Sequence, residues 1–206
     1  MRKIFVTGIG TDVGKTVVSA VLVEALKADY WKPVQTGNFF STDTAKLKKW
    51  ITNTDSVIHP EAYSLKQYMS PHAAAELEGV DIGLDSITIP QTNNTLVIEG
   101  AGGLMVPLNR KEFMIDMIGK FDAEVVLVIQ NYLGSINHSL LSIDAIKNRG
   151  FNILGIVFNG PPHPLSTDII MEYSKLKLLG RINKESEINQ EVISRYAKEF
   201  EYMKNI

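Results

Sequence analysis

The chain has 206 residues, a net charge of −2 and no cysteine. That length suits one large domain, and a composition 45% hydrophobic and 21% charged can build its core. Near-neutral charge excludes a global pull onto nucleic acid or anionic membrane, so any anionic ligand must be held locally; the missing cysteines exclude disulfides, thiolate zinc sites and a cysteine nucleophile.

From the N-terminus, the apolar run Ile4–Thr7 meets Gly8 and Asp12 too soon for a secretory signal. No run approaches the roughly 18 apolar residues of a membrane span, so the expected location is the cytoplasm. Ile4–Thr7 predicts a first strand, and Lys15–Ala28, with Val18, Val21, Leu22 and Ala25 at helical spacing, a first helix. The stretch from about Phe39 to Asn94 is less regular, with helices expected near Thr44–Thr52 and Pro71–Glu78. Leu96-Val97-Ile98, Glu124–Ile129, Ile153–Phe158 and Leu178–Ile182 are short β-branched runs that read as strands buried on both faces. A helix is expected over Ile136–Arg149, closed by Gly150. The last helix is expected over Glu187–Lys204, with Ile188, Val192, Tyr196 and Phe200 on one face. Its charges sum to −1, whereas membrane-surface helices are basic, so it should pack on the sheet. Strands alternating with helices predict an α/β fold: one domain over residues 1–206, a doubly wound, mostly parallel sheet flanked by helices.

The strongest motif is Gly8-Ile9-Gly10-Thr11-Asp12-Val13-Gly14-Lys15-Thr16, between the first strand and the first helix. Backbone N–H groups in such a loop point at phosphates, and glycines permit close approach and positive φ. Lys15 would neutralise the β/γ-phosphate oxygens and the Thr16 hydroxyl would ligate Mg²⁺. The standard pattern needs glycine at position 9, where Ile9 stands, so this is a variant with one extra residue. A dinucleotide loop fits less well, because Lys15-Thr16 is misplaced for it and no acid ends a second strand.

Other constellations are ambiguous singly. Lys32-Pro33-Val34-Gln35-Thr36-Gly37 follows Tyr30-Trp31 as a strand entering a turn, and Lys32 taken alone reads best as a solvated charge. Glu99 ends the Leu96–Ile98 strand and precedes Gly100-Ala101-Gly102-Gly103, where it could hold Mg²⁺ or its water, or be incidental to a loop. Asp43 in Ser41-Thr42-Asp43-Thr44 reads as a helix N-cap region, and Ser70-Pro71-His72 as a helix start. Leu133-Gly134-Ser135-Ile136-Asn137-His138 opens a helix whose free N–H groups suit an anion, or Ser135 simply caps it. Asn159, after Ile153–Phe158, could read a base edge or make a turn.

Their order is more specific than any one of them. The chain resembles the dethiobiotin synthetase family, whose T-G-x-x-T-x-V-G-K-T, K-P-V-x-[ST]-G, acidic S-D, S-P-H, V-E-G-A-G-G and G-x-I-N-H elements match Thr7–Thr16, Lys32–Gly37, Asp43, Ser70–His72, Val97–Gly103 and Gly134–His138, followed by Asn159. The match covers Met1–Asn159 well and the remainder poorly. The K-P-V and E-G-A-G-G elements are shared with amidotransferase-type cobyrinic acid synthetases.

The resemblance implies a P-loop NTPase-like fold and an ATP- and Mg²⁺-dependent ligase of biotin biosynthesis, converting 7,8-diaminononanoate, CO₂ and ATP to dethiobiotin, ADP and phosphate. It implies that Gly10, Thr11, Asp12, Val13, Gly14, Lys15, Thr16 and Val17 hold the nucleotide and Asn159 its adenine. Thr16, Asp43 and Glu99 would bind Mg²⁺, and Lys15, Lys32 and Thr11 would be catalytic. Lys32, Thr36, Gly102 and Gly103 would meet the diamine. In a homodimer, Ser135, Ile136 and Asn137 of the neighbouring subunit would bind its carboxylate.

The chain departs from the family at Asp12, where many relatives carry glutamate, and at Gly180-Arg181-Ile182-Asn183, which lacks the family's proline. A partitioning or site-selection ATPase would need a lysine where Gly10 stands. A cobyrinate-type amide synthetase would need a glutaminase domain and its cysteine.

Overall fold

The computed structural model describes residues 1–37 and 42–205. Phe39 and Ser41, named above, lie outside the described residues.

Short runs of β-branched residues with no polar alternation need both sheet faces covered, and the fold supplies that cover. The central sheet has six strands in the order β2-β5-β1-β6-β7-β8, every pairing in it parallel. These are β1 (Lys3–Gly8), β2 (Asp29–Trp31), β5 (Leu96–Gly103), β6 (Glu124–Gln130), β7 (Ile153–Asn159) and β8 (Leu178–Ile182). Successive side chains point to opposite faces, so Ile4 and Val6 join one core while Phe5 joins the other. Tyr30 and Trp31 divide in the same way. The first core carries α1 (Lys15–Leu26) and α7 (Gln190–Phe200) through Leu22, Ile193 and Phe200. The second carries α3 (Pro71–Glu78) and α4 (Asp116–Phe121) through Ala74, Met117 and Phe121.

After β1 the chain crosses to β2 on one side, and it later reaches β6 on the other. The strand order therefore reverses at β1, and the crevice beyond the carboxyl ends of β5, β1 and β6 is where such sheets bind ligands. A two-stranded parallel pair, β3 (Val34–Thr36) with β4 (Tyr63–Leu65), stands beside that crevice. Helix α2 (Asp43–Trp50) borders it as well, and α5 (Ser135–Asn148) and α6 (Pro164–Ser174) complete the order.

All five expected strands form, as do the five expected helices, with some boundaries moved. The last helix starts at Gln190, where the Asn189 side chain accepts from Val192 N–H at 3.1 Å, rather than at Glu187. It passes into a 3₁₀ turn over Glu201–Asn205. Ile188 precedes it, packed against the core and facing the crevice. The strand expected to run through Tyr30-Trp31 into the Lys32–Gly37 turn forms as two short pieces, β2 and β3, while helices α4 and α6 and strand β4 are additions. Leu165, Ile169 and Tyr173 of α6 are 81%, 44% and 53% exposed, so its apolar spacing marks an outward face.

The C-terminal helix packs into the core, as expected of a helix without net basic charge. Phe200 is fully buried, and its ring lies so close to Gly180 that a Cβ there would sit 2.6 Å from it. Phe200→Ala should therefore lower the free energy of unfolding by about 3–5 kcal/mol in a denaturant titration. A loss below about 1 kcal/mol would mean that the helix is not part of the core.

Candidate active site

The variant loop owes its shape to Gly14. It takes φ +97° just before Lys15 opens α1, a conformation side chains resist. There is also no room for one: a Cβ on Gly14 would collide with the Asn159 amide nitrogen. That nitrogen donates to the Val13 carbonyl at 3.0 Å, so the carboxyl end of β7 braces the loop from behind. Asp12 accepts the left-handed region without being glycine, φ +57°. Lys15 is buried, and its ammonium donates to the Gly10 carbonyl across the loop at 2.8 Å.

Beside the loop lies a cluster of buried charge. Glu99, 1% exposed, ends the apolar part of β5, and its Oε1 accepts from the Thr16 hydroxyl at 2.9 Å. Lys32 is 5% exposed, not solvated as its local sequence suggests. Its ammonium lies between two carboxylates, donating to Asp43 Oδ2 and standing 3.4 Å from Glu99 Oε1. The expected N-cap region forms, with Thr42 capping α2 by accepting from Ala45 N–H. Asp43 occupies the first turn, its N–H donates to Gln35 Oε1 at 3.2 Å, and Lys46 donates to its Oδ1 at 3.0 Å.

These groups share the wall of one cavity of about 1030 Å³. Of the expected site residues, Thr11, Asp12, Gly14, Lys15, Thr16, Val17, Lys32, Thr36, Asp43, Glu99 and Gly102 line it. Gly10, Val13, Gly103 and Asn159 shape it from behind. Gly103 pairs with Gly8 across β5 and β1, backbone against backbone with Gly10. Ser135, Ile136 and Asn137 lie at the start of α5, outside this cavity. Ser135 does not cap that helix: Gly134 does, at φ +101°, and Ser135 is buried.

Asp43 and Glu99 flank the Lys32 ammonium and the Thr16 hydroxyl bonds to Glu99, which together make a hard-oxygen set. Among the described residues no group of three or more Asp, Glu or His could by itself hold a metal. Two carboxylates and a hydroxyl fit Mg²⁺, which keeps waters and takes phosphate oxygens for its remaining positions.

The two lysines are tuned in opposite directions. Burial pulls Lys15 down to about 8, only partly offset by Glu99, while Lys32 beside it adds to the fall. Burial also opposes the Lys32 charge, but Glu99 and Asp43 more than offset it, and its pKa lies above the ordinary lysine value. Burial opposes the Asp43 charge, but Lys32 and Lys46 together outweigh it and hold its carboxyl below the usual range.

A family model described as an AAA domain matches residues 2–192. An ATP-dependent dethiobiotin synthetase from Christiangramia forsetii is 52% identical over 97% of this chain and 96% of its own. Another, from Cytophaga hutchinsonii, is 52% identical over 96% of each chain. The chain belongs to the ATP-dependent dethiobiotin synthetase family. Its fold is also that of the cell division ATPase MinD from Pyrococcus furiosus, with a TM-score of 0.61 at 15% identity, covering 98% of this chain and 100% of that one. That second likeness is one of fold alone.

Within this dethiobiotin synthetase fold, sequence reasoning missed several wall residues: Gln35, Lys46, Lys49, Trp50, Tyr68 and Ile188. Gln35 lay inside a quoted motif, and Lys46 one helical turn beyond Asp43, a spacing that brings opposite charges together. Tyr68 comes from an irregular segment with no local signal, and Ile188, expected on the core face of the last helix, precedes that helix and faces the cavity.

Lys15 makes the site pH-sensitive. Its folded value lies below the unfolded one, so the unfolded chain binds more protons in that interval. Its contribution to stability therefore rises with pH from about 8 toward 10.5. Phosphate binding favours the ammonium, so ATP binding at about pH 8.5 should take up protons. Calorimetry in buffers of different ionisation enthalpy should show this uptake, and Lys15→Met should abolish it. Equal heats across buffers for the unsubstituted chain would contradict the assignment.

Proposed function

We propose that this chain is an ATP-dependent dethiobiotin synthetase, one domain over residues 1–206, closing the ureido ring of dethiobiotin from 7,8-diaminononanoate and CO₂. One observation carries the reading beyond kinship: the phosphate loop, the Lys32–Asp43–Glu99 cluster and the Gly102 backbone face a single cavity. A nucleotide γ-phosphate held by the loop would there meet a substrate held by the other two.

In this reading an amine of the substrate first combines with CO₂ to give a carbamate. The carbamate oxygen attacks the γ-phosphorus, ADP leaves, and a mixed carbamic–phosphoric anhydride remains. The second amine attacks its carbonyl carbon and expels phosphate, closing the ring. Phosphoryl transfer of this kind needs little covalent help and much positive charge around the moving oxygens. Lys15 supplies it from the loop and Lys32 from the substrate side. Thr11 Oγ lies in the wall beside Gly102, 3.6 Å from where a Cβ on Gly102 would stand, and contacts the carbamate or phosphate. Thr16, Asp43 and Glu99 would hold Mg²⁺, which would supply positive charge against the phosphate oxygens. Thr36 and the Gly102-Gly103 backbone bound the diamine. Asn159 keeps one amide hydrogen and its oxygen for adenine while its other donor holds Val13.

The substrate carboxylate is met by a second copy, through Ser135, Ile136 and Asn137. The exposed apolar surface around that helix start supports a homodimer there: Leu133 is 103% exposed, Tyr132 42% and Ile136 36%. Use of ATP and CO₂ supports a cytoplasmic enzyme. Among the described residues no helix is long and apolar enough to cross a membrane.

Purified protein with MgATP and bicarbonate should release ADP only when 7,8-diaminononanoate is added, with dethiobiotin identified by mass. Lys15→Ala and Lys32→Ala should each lower turnover by at least ~10²-fold. ATP hydrolysis indifferent to the diamine, with no dethiobiotin, would sink the reading. The shared site has its own test. Mixing inactive Lys15→Ala and Asn137→Ala subunits should restore turnover that neither has alone, because a mixed dimer regains one intact site.

A further inference from the structure

Glu99 is held at both oxygens. Oε1 takes the Thr16 hydroxyl at 2.9 Å and faces Lys32 at 3.4 Å, while Oε2 accepts from the Tyr30 hydroxyl at 3.0 Å. Tyr30 and Glu99 are 0% and 1% exposed. Tyr30 lies on β2, two residues before Lys32, so extended backbone sends both side chains toward the same side. It pairs with Val97, two residues before Glu99 on the parallel neighbour β5, so its ring runs along the sheet to the carboxylate above. Among the described residues its hydroxyl has no other partner.

A glutamate's last torsion is soft, and a carboxylate beside an ammonium could present either oxygen or both. With Oε2 occupied from inside the core, only Oε1 faces the cavity. We propose that Tyr30 is a positioning residue of this site: its hydroxyl holds Glu99 so that a single oxygen, Oε1, is offered with Thr16 and Asp43 to the divalent cation. The proposal rests on the reading of Glu99 as a metal ligand. A phenol donating to a ligating carboxylate is an outer contact of the kind whose removal weakens metal binding by about 10–100-fold. Volume is nearly unchanged in Tyr30→Phe, so the core on that face stays filled.

The test is a Mn²⁺ titration, followed by electron paramagnetic resonance, of the full chain loaded with a non-hydrolysable ATP analogue. Tyr30→Phe should weaken Mn²⁺ binding by about 10–100-fold while leaving nucleotide affinity in chelator unchanged, and kcat should recover as Mn²⁺ is raised. Para-aminophenylalanine at position 30, which keeps a donor there, should bind Mn²⁺ as the unsubstituted chain does. If Tyr30→Phe does not fold, para-aminophenylalanine against para-methylphenylalanine at that position makes the same comparison. Glu99→Gln separates the two layers of the argument. Loss of Mn²⁺ binding in Glu99→Gln but not in Tyr30→Phe overturns the role of Tyr30 alone. Unchanged binding in both removes Glu99 from the metal site, and the role of Tyr30 with it.

Discussion

An ammonium buried between two carboxylates organises this molecule's working end. Lys32 comes from the chain just beyond β2, Asp43 from the first turn of α2 and Glu99 from β5. Lys32 and Asp43 are close in sequence, Glu99 lies 67 residues beyond Lys32, and the ion cluster is where the three meet. Burying such charges yields little net stability, because desolvation offsets most of the Coulombic attraction. What it yields is geometry: removing one member leaves the others uncompensated in a dry place, so the arrangement is hard to deform. Thr16 ties the cluster to the phosphate loop through Glu99, and Tyr30 ties it to the core.

The cluster and the loop meet because the strand order reverses at β1. Parallel strands on either side send their carboxyl ends, and the residues after them, to one edge of the sheet. Gly14, Glu99 and Asn159 reach that edge from separate parts of the chain. The electrostatics follow from burial. Among the described residues Lys15 has no carboxylate in direct contact and is pulled down, while Lys32 has two close acids and is pushed up. Lys15 and Lys32 thus differ in what they offer: Lys32 a fixed charge bound to its carboxylates, Lys15 a charge strengthened when phosphate arrives.

Much of the fold was legible because burial on both faces writes itself into sequence as uninterrupted apolar runs. Ile4–Thr7 and Glu124–Ile129 have no other good reading. The β3–β4 pair is three residues a strand and α4 six, too short for any periodicity to show. In α6 the helical spacing of Leu165, Ile169 and Tyr173 faces outward, against the usual rule. Within the site, the phosphate loop was legible because glycine and lysine types there have few other uses. Lys32 was not legible locally, since nothing near it in sequence announces two acids from elsewhere, and only the order of motifs pointed to it. Tyr30 and Asn159 show a deeper limit. Which atom a buried polar group touches is decided by pairing register and packing, so the donation from Asn159 to Val13 and the grip of Tyr30 on Glu99 needed the structure.

The central claim is that Lys32 neutralises Asp43 and Glu99 and so fixes the site's frame. The most direct measurement compares the unfolding free energies of Lys32→Met alone and Lys32→Met combined with Asp43→Asn, without metal or nucleotide. The account predicts a loss of about 3–5 kcal/mol in the single variant, part of it regained in the double, where one uncompensated carboxylate is gone. A single variant as stable as the parent chain, or a double variant destabilised further, would contradict it.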